Sequence, residues 1–401
     1  MKLDKKQVQN FLTIRYNPLD TPVIPPASWQ DFRATESDQN GKKSELFLQR
    51  SILKSIPEKE KTITISLSSG IDSSLCLALL RKTFPDKKIV AICAVFEDAY
   101  DESIIAKKIA QKFEADFKIV NMKSLFSNMP EIVYISKKPR WNTYTHMVAK
   151  EAKRHSKIFV TGDGADELFG GYTFRYEKFL TLLKSNNWKS KTKNYLECHN
   201  RDWVPDQNEI FGKAIKFDWD DIFIYFKKYF QNPLSSLQQV MLADFNGKFL
   251  YDFIPTGKAV SQHYNIQGTP IFQDPDLIKF ARHLPIEQKY DQKNKLGKII
   301  LRKIAKRLGV EHINEKKGFS PSLYFDWKKN GKDVCKNYIL EKNANVFKEN
   351  LISYDWVLKA FERVEDDGDI RYLNRLIAIL ALEIWYRLYI SKDMNKSKIL
   401  I

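Results

Sequence analysis

Cysteine is scarce and unpaired in this sequence. Cys76, Cys93, Cys198 and Cys335 are the four in 401 residues, and no C-x-x-C spacing occurs. A disulfide framework is excluded, and a reducing, cytoplasmic setting fits best. The six histidines (146, 155, 199, 263, 283 and 312) have no metal-ligand spacing, so zinc is not expected. Long uninterrupted apolar runs are absent too. The longest candidate, LNRLIAILALEIWYRLYI at 373–390, contains Arg375, Glu383 and Arg387 and reads as a buried helix, with no membrane association. The start, MKLDKKQVQNFL, has no apolar core of a signal peptide. There is no internal repeat and no low-complexity segment, and no GxxxxGK[ST] phosphate loop.

Acids are outnumbered: 66 basic against 49 acidic residues give a formal charge of +17. Such an excess raises nucleic acid as a partner. The basic residues are scattered, mostly Lys, and often sit beside acids, as in EKEK and QKFEAD. Only the end, SKDMNKSKILI, looks like a small basic tail, so specific nucleic-acid binding is not the expectation. A 43% hydrophobic content over 401 residues supports a sizeable core and more than one average domain.

What is present is a regular alternation. Residues 1–50 read as irregular, with Pro18, Pro22, Pro25 and Pro26 discouraging a long helix. Strands are expected at 62–67, 88–96, 117–121 and 157–161, and helices at 71–84, 101–113 and 143–155. Strands alternating with helices predict an α/β fold: a parallel twisted sheet with helices on both faces. After about residue 175 aromatic segments with helical spacing dominate, which predicts a mostly helical C-terminal part. The expected division is an arm at 1–50, an α/β core at 51–190 and a helical part at 191–401 that completes a substrate site.

The stretch ITISLSSGIDSSLCLALL (63–80) places small and acidic residues between a strand and a helix. Parallel sheets bind ligands at the carboxyl ends of their strands, where a helix N-terminus offers free N–H groups to phosphate. Ser68, Ser69 and Gly70 let backbone amides close around phosphate oxygens, and Asp72 is placed to hold Mg2+ against them. Taken alone, a serine-rich helix cap explains the loop equally well. A second stretch, VTGDGADELFGGYTFRY (160–176), alternates Gly162, Gly164, Gly170 and Gly171 with Asp163, Asp166 and Glu167. Carboxylates crowded at a strand end repel unless a cation joins them.

LSSGIDSS resembles the SGGxDS loop of the PP-loop ATP pyrophosphatases, and TGDGADELFGGY resembles the second signature of their asparagine synthetase branch. FEDAYDES (96–103), GKIILR (297–302) and INEKKGFSPS (313–322) are similar to further segments of that branch, in the same order. The resemblance spans about residues 45–330. It implies an ATP-dependent amide ligase that forms AMP and pyrophosphate, with a carboxylate, most simply aspartate, activated as an acyl-adenylate for attack by ammonia. By resemblance, Leu67, Ser68, Ser69, Gly70, Asp72, Ser73 and Ser74 hold the pyrophosphate of ATP. Asp72 and Asp166 share Mg2+, and Ala94, Val95 and Phe96 lie against adenine. Thr161 and Gly162 line the nucleotide, Lys298 and Arg302 support phosphate or the helix end, Lys316 stabilises charge on the α-phosphate, and Asp163 takes a proton from the attacking ammonia.

The chain also departs from the family pattern. Ser69 stands for a Gly, Asn314 for an Arg, Lys258-Ala259 for an Asp-Arg pair, Gln267 for a Glu, Thr269 for an Arg and Gln273 for a Leu. Losing charge in the acceptor region leaves open another carboxylate: a sugar acid, or a peptide that closes a lactam. No Cys precedes Cys76, so the N-terminal glutaminase half of the family's glutamine-using members is expected to be missing. Ammonia would then come from solution or from a separate glutaminase chain. A homodimer is compatible with the sequence, and a tRNA-modifying PP-loop enzyme is the alternative of another class.

Overall fold

A computed structural model describes residues 4–97, 101–199, 203–310 and 322–401. Its centre is a five-stranded parallel sheet: β1 (Thr62–Ser66), β2 (Lys88–Val95), β3 (Asp116–Asn121), β4 (Ile158–Thr161) and β5 (Gln267–Pro270), in the order β3-β2-β1-β4-β5. β1 and β2 are β-branched and apolar because both of their faces are covered. Ile63, Ile65, Ala91 and Cys93 enter one core, and Val90, Ile92 and Ala94 enter another. Polar Thr64 is also fully buried, and its hydroxyl donates to the Ile158 carbonyl at 2.5 Å.

Seven α-helices lie along the chain up to residue 169, among the described residues. They are α1 (Lys5–Ile14), α2 (Lys42–Ser55), α3 (Ile71–Thr83), α4 (Ser103–Lys112), α5 (Met129–Ser136), α6 (His146–Ala152) and α7 (Ala165–Phe169). α3 lies between the sheet and α2, while α6 and the helix Ile254–Tyr264 pack on the opposite face. The expected strands and helices of residues 62–161 therefore form, with ends shifted by a few residues.

The expectation for residues 1–50 needs correction. α1 fits entirely before Pro18, capped by Asp4, whose side chain accepts from the Gln7 amide at 2.8 Å. α2 begins after Gly41, whose φ of +74° is a backbone that side chains rarely adopt. The prolines interrupt only the connection between them. β5 also lies well beyond residue 190, so the sheet draws its fifth strand from the helical half.

The helical half has its own core. Its spine is the helix Ile370–Tyr389, buried without a break from Tyr372 to Trp385. Its internal charges are matched: Arg375 donates to Gln207 at 3.1 Å, and Glu383 accepts from Asn345, from the Val346 amide and from Arg387. Among the described residues no helix is long and apolar enough to cross a membrane.

Candidate active site

The chain runs β1 to β3 on one side of the sheet centre, then returns to place β4 on the other side of β1. The crevice beyond the carboxyl ends of β1 and β4 is thus the topological switch point, the preferred ligand position of open α/β sheets. Both glycine-containing motifs end there.

After β1 the loop Leu67–Gly70 turns into α3. The Ser68 amide donates to Ser73 Oγ at 3.0 Å, the two hydroxyls lie 2.9 Å apart, and the Gly70 amide donates to Ser68 Oγ at 3.2 Å. Ser74 Oγ donates to the Ser68 carbonyl at 3.4 Å. Gly70 keeps φ at −76°, and Ser69 is not among the positive-φ residues, so Ser in place of Gly at position 69 strains nothing. Ser69 instead gains a partner. Its amide and hydroxyl both donate to Glu102 Oε2, at 2.9 and 2.6 Å, tying the loop to the start of α4.

After β4 the chain reaches Gly162, packed on the first turn of α3. A Cβ on Gly162 would lie 3.1 Å from that of Asp72. Gly164, at φ +106°, is packed beneath by Phe249 and Phe272. Phe249 comes from Phe245–Phe253, where two helical segments meet at a kink at Gly247 (φ −99°, ψ −111°).

These contacts place Asp72 and Asp166 on either side of one ammonium. Lys298 Nζ lies 2.5 Å from Asp72 Oδ2 and 2.7 Å from Asp166 Oδ1. Burial alone would lower the Lys298 pKa; the two carboxylates outweigh it and hold the group protonated, with its pKa raised. Arg302 donates to the Gly297 carbonyl at 2.9 Å and so steadies the turn that delivers Lys298. Gly171 closes the site from behind: a Cβ there would stand 1.7 Å from Asp166 Oδ1 and 2.5 Å from Lys298 Cε.

Asp163 opens on the crevice mouth and accepts from the Thr161 hydroxyl at 2.8 Å. Desolvation raises its pKa and the Thr161 hydrogen bond opposes this; the like charges of Asp72 and Asp166 add to the rise. Solvent at the mouth moderates all of these. Glu167 is buried and bonded to the Tyr172 hydroxyl; desolvation, then Asp166, push its pKa up to about 7.

Two carboxylates already straddling a cation suit a divalent ion. Among the described residues no group of three or more His, Cys, Asp or Glu could hold a metal alone. A pair is what Mg2+ commonly takes when substrate phosphates and water complete its shell.

Of the residues singled out in the sequence, the structure gathers Ser68, Ser69, Gly70, Asp72, Ser73, Gly162, Asp163, Asp166 and Lys298 at this crevice. Leu67 is buried at the loop's base, its amide bonded to the Ile92 carbonyl at 2.9 Å. Ala94, Val95 and Phe96 follow along β2, where the Phe96 ring meets Tyr144 edge-on at 6.2 Å. Lys316 and Asn314 lie outside the described residues. Gln267 pairs with Ile158 at the start of β4, at the far end of the strand from the crevice, and turns its amide to the Ser55 carbonyl at the end of α2, at 2.6 Å. Gln273 reaches the Asp163 carbonyl at 3.5 Å, and Asp274 caps the helix Pro275–Arg282. Sequence reading missed Glu102, although it stands inside the quoted FEDAYDES, and missed Tyr172, Phe249 and Phe272, whose contacts are tertiary.

A family model described as asparagine synthase matches residues 47–387. A curated relative, "Asparagine synthetase [glutamine-hydrolyzing] 1" of Bacillus subtilis, is 27% identical over 365 residues, covering 81% of this chain and 56% of the relative. A "Putative asparagine synthetase [glutamine-hydrolyzing]" of Mycobacterium tuberculosis is 34% identical over 127 residues, 30% of this chain and 19% of that protein. The chain thus spans little more than half the length of the Bacillus relative. Among solved structures, NMN synthetase from Francisella tularensis (13% identity, 57% of this chain and 92% of that one) has a TM-score of 0.26. An NH3-dependent NAD synthetase from Campylobacter jejuni (15%, 36% and 61%) has a TM-score of 0.24. Neither score is high enough to carry an argument. The match across most of the chain, on a crevice built from that family's motifs, settles the matter of kinship: the chain belongs to the asparagine synthase family.

Proposed function

We propose that this chain is an ATP-dependent amide ligase that joins a carboxylate, most simply aspartate, to ammonia with release of AMP and pyrophosphate. The observation that carries the reading is the meeting of Asp72, Asp166 and Lys298 where the two motif turns pack together. A carboxylate is a poor electrophile, so it must first be activated. Its oxygen attacks the α-phosphorus of ATP, the bond to pyrophosphate breaks, and an acyl-adenylate results. The loop Leu67–Ser74 binds the departing pyrophosphate through small residues and amides at the start of α3. Asp72 and Asp166 would hold Mg2+, which neutralises phosphate charge. Lys298 supplies a cation beside the leaving group, and Lys316 is proposed to stabilise charge on the α-phosphate. Ammonia then attacks the acyl carbon and AMP leaves. Asp163, with its pKa raised, takes the proton released from nitrogen.

A second reading keeps this chemistry and changes the acceptor. Thr269 stands opposite Val160 near the end of β4 and puts no charge there, while Gln267 stands opposite Ile158 at the start of that strand and bonds to the end of α2. A sugar acid or a lactam-forming peptide suits such an acceptor site as well as aspartate does.

The test is pyrophosphate release from ATP and Mg2+, screened over aspartate and other carboxylates, with and without ammonium or glutamine. Asparagine formed from aspartate and ammonium is the expected result. Release with another acid alone selects the second reading, and release that requires tRNA would overturn both.

A further inference from the structure

We infer that Lys298 is the resident counter-cation of the metal-free site, and that it makes divalent-cation binding depend on the nucleotide. The inference rests on the reading of Asp72 and Asp166 as the pair that holds Mg2+ beside ATP.

Lys298 is 5% exposed, and its ammonium engages one oxygen of each carboxylate, at 2.5 and 2.7 Å. The two acids come from different motifs and would repel in this crowded place without it. The placement is built in, not incidental. Lys298 sits at φ +60°, a conformation that residues other than glycine rarely adopt, at the start of the helix Ile299–Arg307. Its amide donates to the Phe169 carbonyl at 3.0 Å, at the end of the helix that carries Asp166. The preceding Gly297 has no room for a side chain, since a Cβ would stand 2.3 Å from the Gly170 carbonyl. The backbone of Lys298 is thus locked to the turn whose charge its side chain neutralises.

A bare divalent ion must compete for carboxylates that the ammonium already occupies. Its apparent affinity is the intrinsic affinity multiplied by the small fraction of molecules in which Lys298 has moved aside. Polyphosphate offers the ammonium another anionic partner and frees the carboxylate pair. Nucleotide and metal therefore bind with positive coupling, and the site stays charge-balanced when both are absent. The protein resists loading with metal alone.

The test uses Mn2+ as a spectroscopic probe, with the free ion followed by electron paramagnetic resonance on the whole chain. Without nucleotide, wild type is expected to bind Mn2+ weakly, and Lys298→Met to bind it roughly tenfold or more tightly. A second measurement needs no variant: the melting temperature of wild type should be insensitive to millimolar Mg2+ alone and should rise with Mg2+ and ATP together. A folded Lys298→Met chain with no gain in Mn2+ affinity overturns the inference. So does a wild-type chain that Mg2+ alone stabilises as much as Mg2+ with ATP. If wild type responds to neither, the nucleotide reading falls and takes the inference with it; a normal response to Mg2+ with ATP, but equal Mn2+ binding in both proteins, overturns the inference alone.

Discussion

Glu102 accepts both the amide and the hydroxyl hydrogen of Ser69, bonds of 2.9 and 2.6 Å that join two segments 33 residues apart. The carboxylate fixes the third residue of the loop Leu67–Gly70 from outside the loop. Glu102→Ala should therefore weaken pyrophosphate binding roughly tenfold, about the worth of one charge-assisted hydrogen bond. Ser69→Gly, which keeps the amide, should lose less. Calorimetric titration of pyrophosphate into the three proteins checks this, and equal affinities would remove Glu102 from the account.

Gly171 has no space for even a methyl group: its Cβ would stand 1.7 Å from Asp166 Oδ1. Gly171→Ala should lower pyrophosphate release by about a hundredfold or more, because displacing Asp166 and Lys298 spoils alignment. Gly257, inside the helix Ile254–Tyr264, has nothing within 4 Å of its Cβ position. Gly257→Ala should leave activity alone and stabilise the fold by roughly 0.5–1 kcal/mol. Steady-state rates and thermal melts of the pair separate a site effect from a general intolerance of alanine.

Phe249 lies against Gly164 and is fully buried. Phe249→Ala should destabilise the chain by about 3–5 kcal/mol, as large cavities do. Denaturant unfolding measures it, and a loss below about 1 kcal/mol would mean that the kinked stretch Phe245–Phe253 does not brace the turn.

Stability should fall at mildly acid pH through His146. This ring is buried, with Nδ1 2.7 Å from the Tyr264 hydroxyl, and desolvation lowers its pKa from 6.5 to about 4; Glu131 opposes this, while Lys150, His263 and Lys123 add to it. The unfolded chain takes up a proton below about 6.5 that the folded chain refuses until about 4. The contribution is fully present above pH 6.5 and is lost as pH falls through 4. His146→Phe should flatten the melting-temperature profile across that window, and an unchanged slope would assign the acid sensitivity elsewhere.

The parts legible in the sequence were those whose signals are local. β1 and β2 are buried on both faces and read as β-branched apolar runs, and the serine and glycine turns after β1 and β4 stand out by composition. β5 was hidden because Gln267-Gly268-Thr269-Pro270 has no strand-like pattern; it is extended because its backbone pairs with β4. α1 was hidden by attention to the prolines, which begin only after the helix has ended. Lys298 was recognised only as a support for phosphate. Its closure of the carboxylate pair depends on a distance of 226 residues along the chain, which spacing alone does not reveal.

The most direct test of the central claim is the fate of the nucleotide. Incubated with α-labelled ATP, Mg2+, aspartate and ammonium, the chain is predicted to convert label to AMP in step with pyrophosphate release. Label recovered as ADP, or ATP left unbound and unchanged with every acid tried, would contradict it.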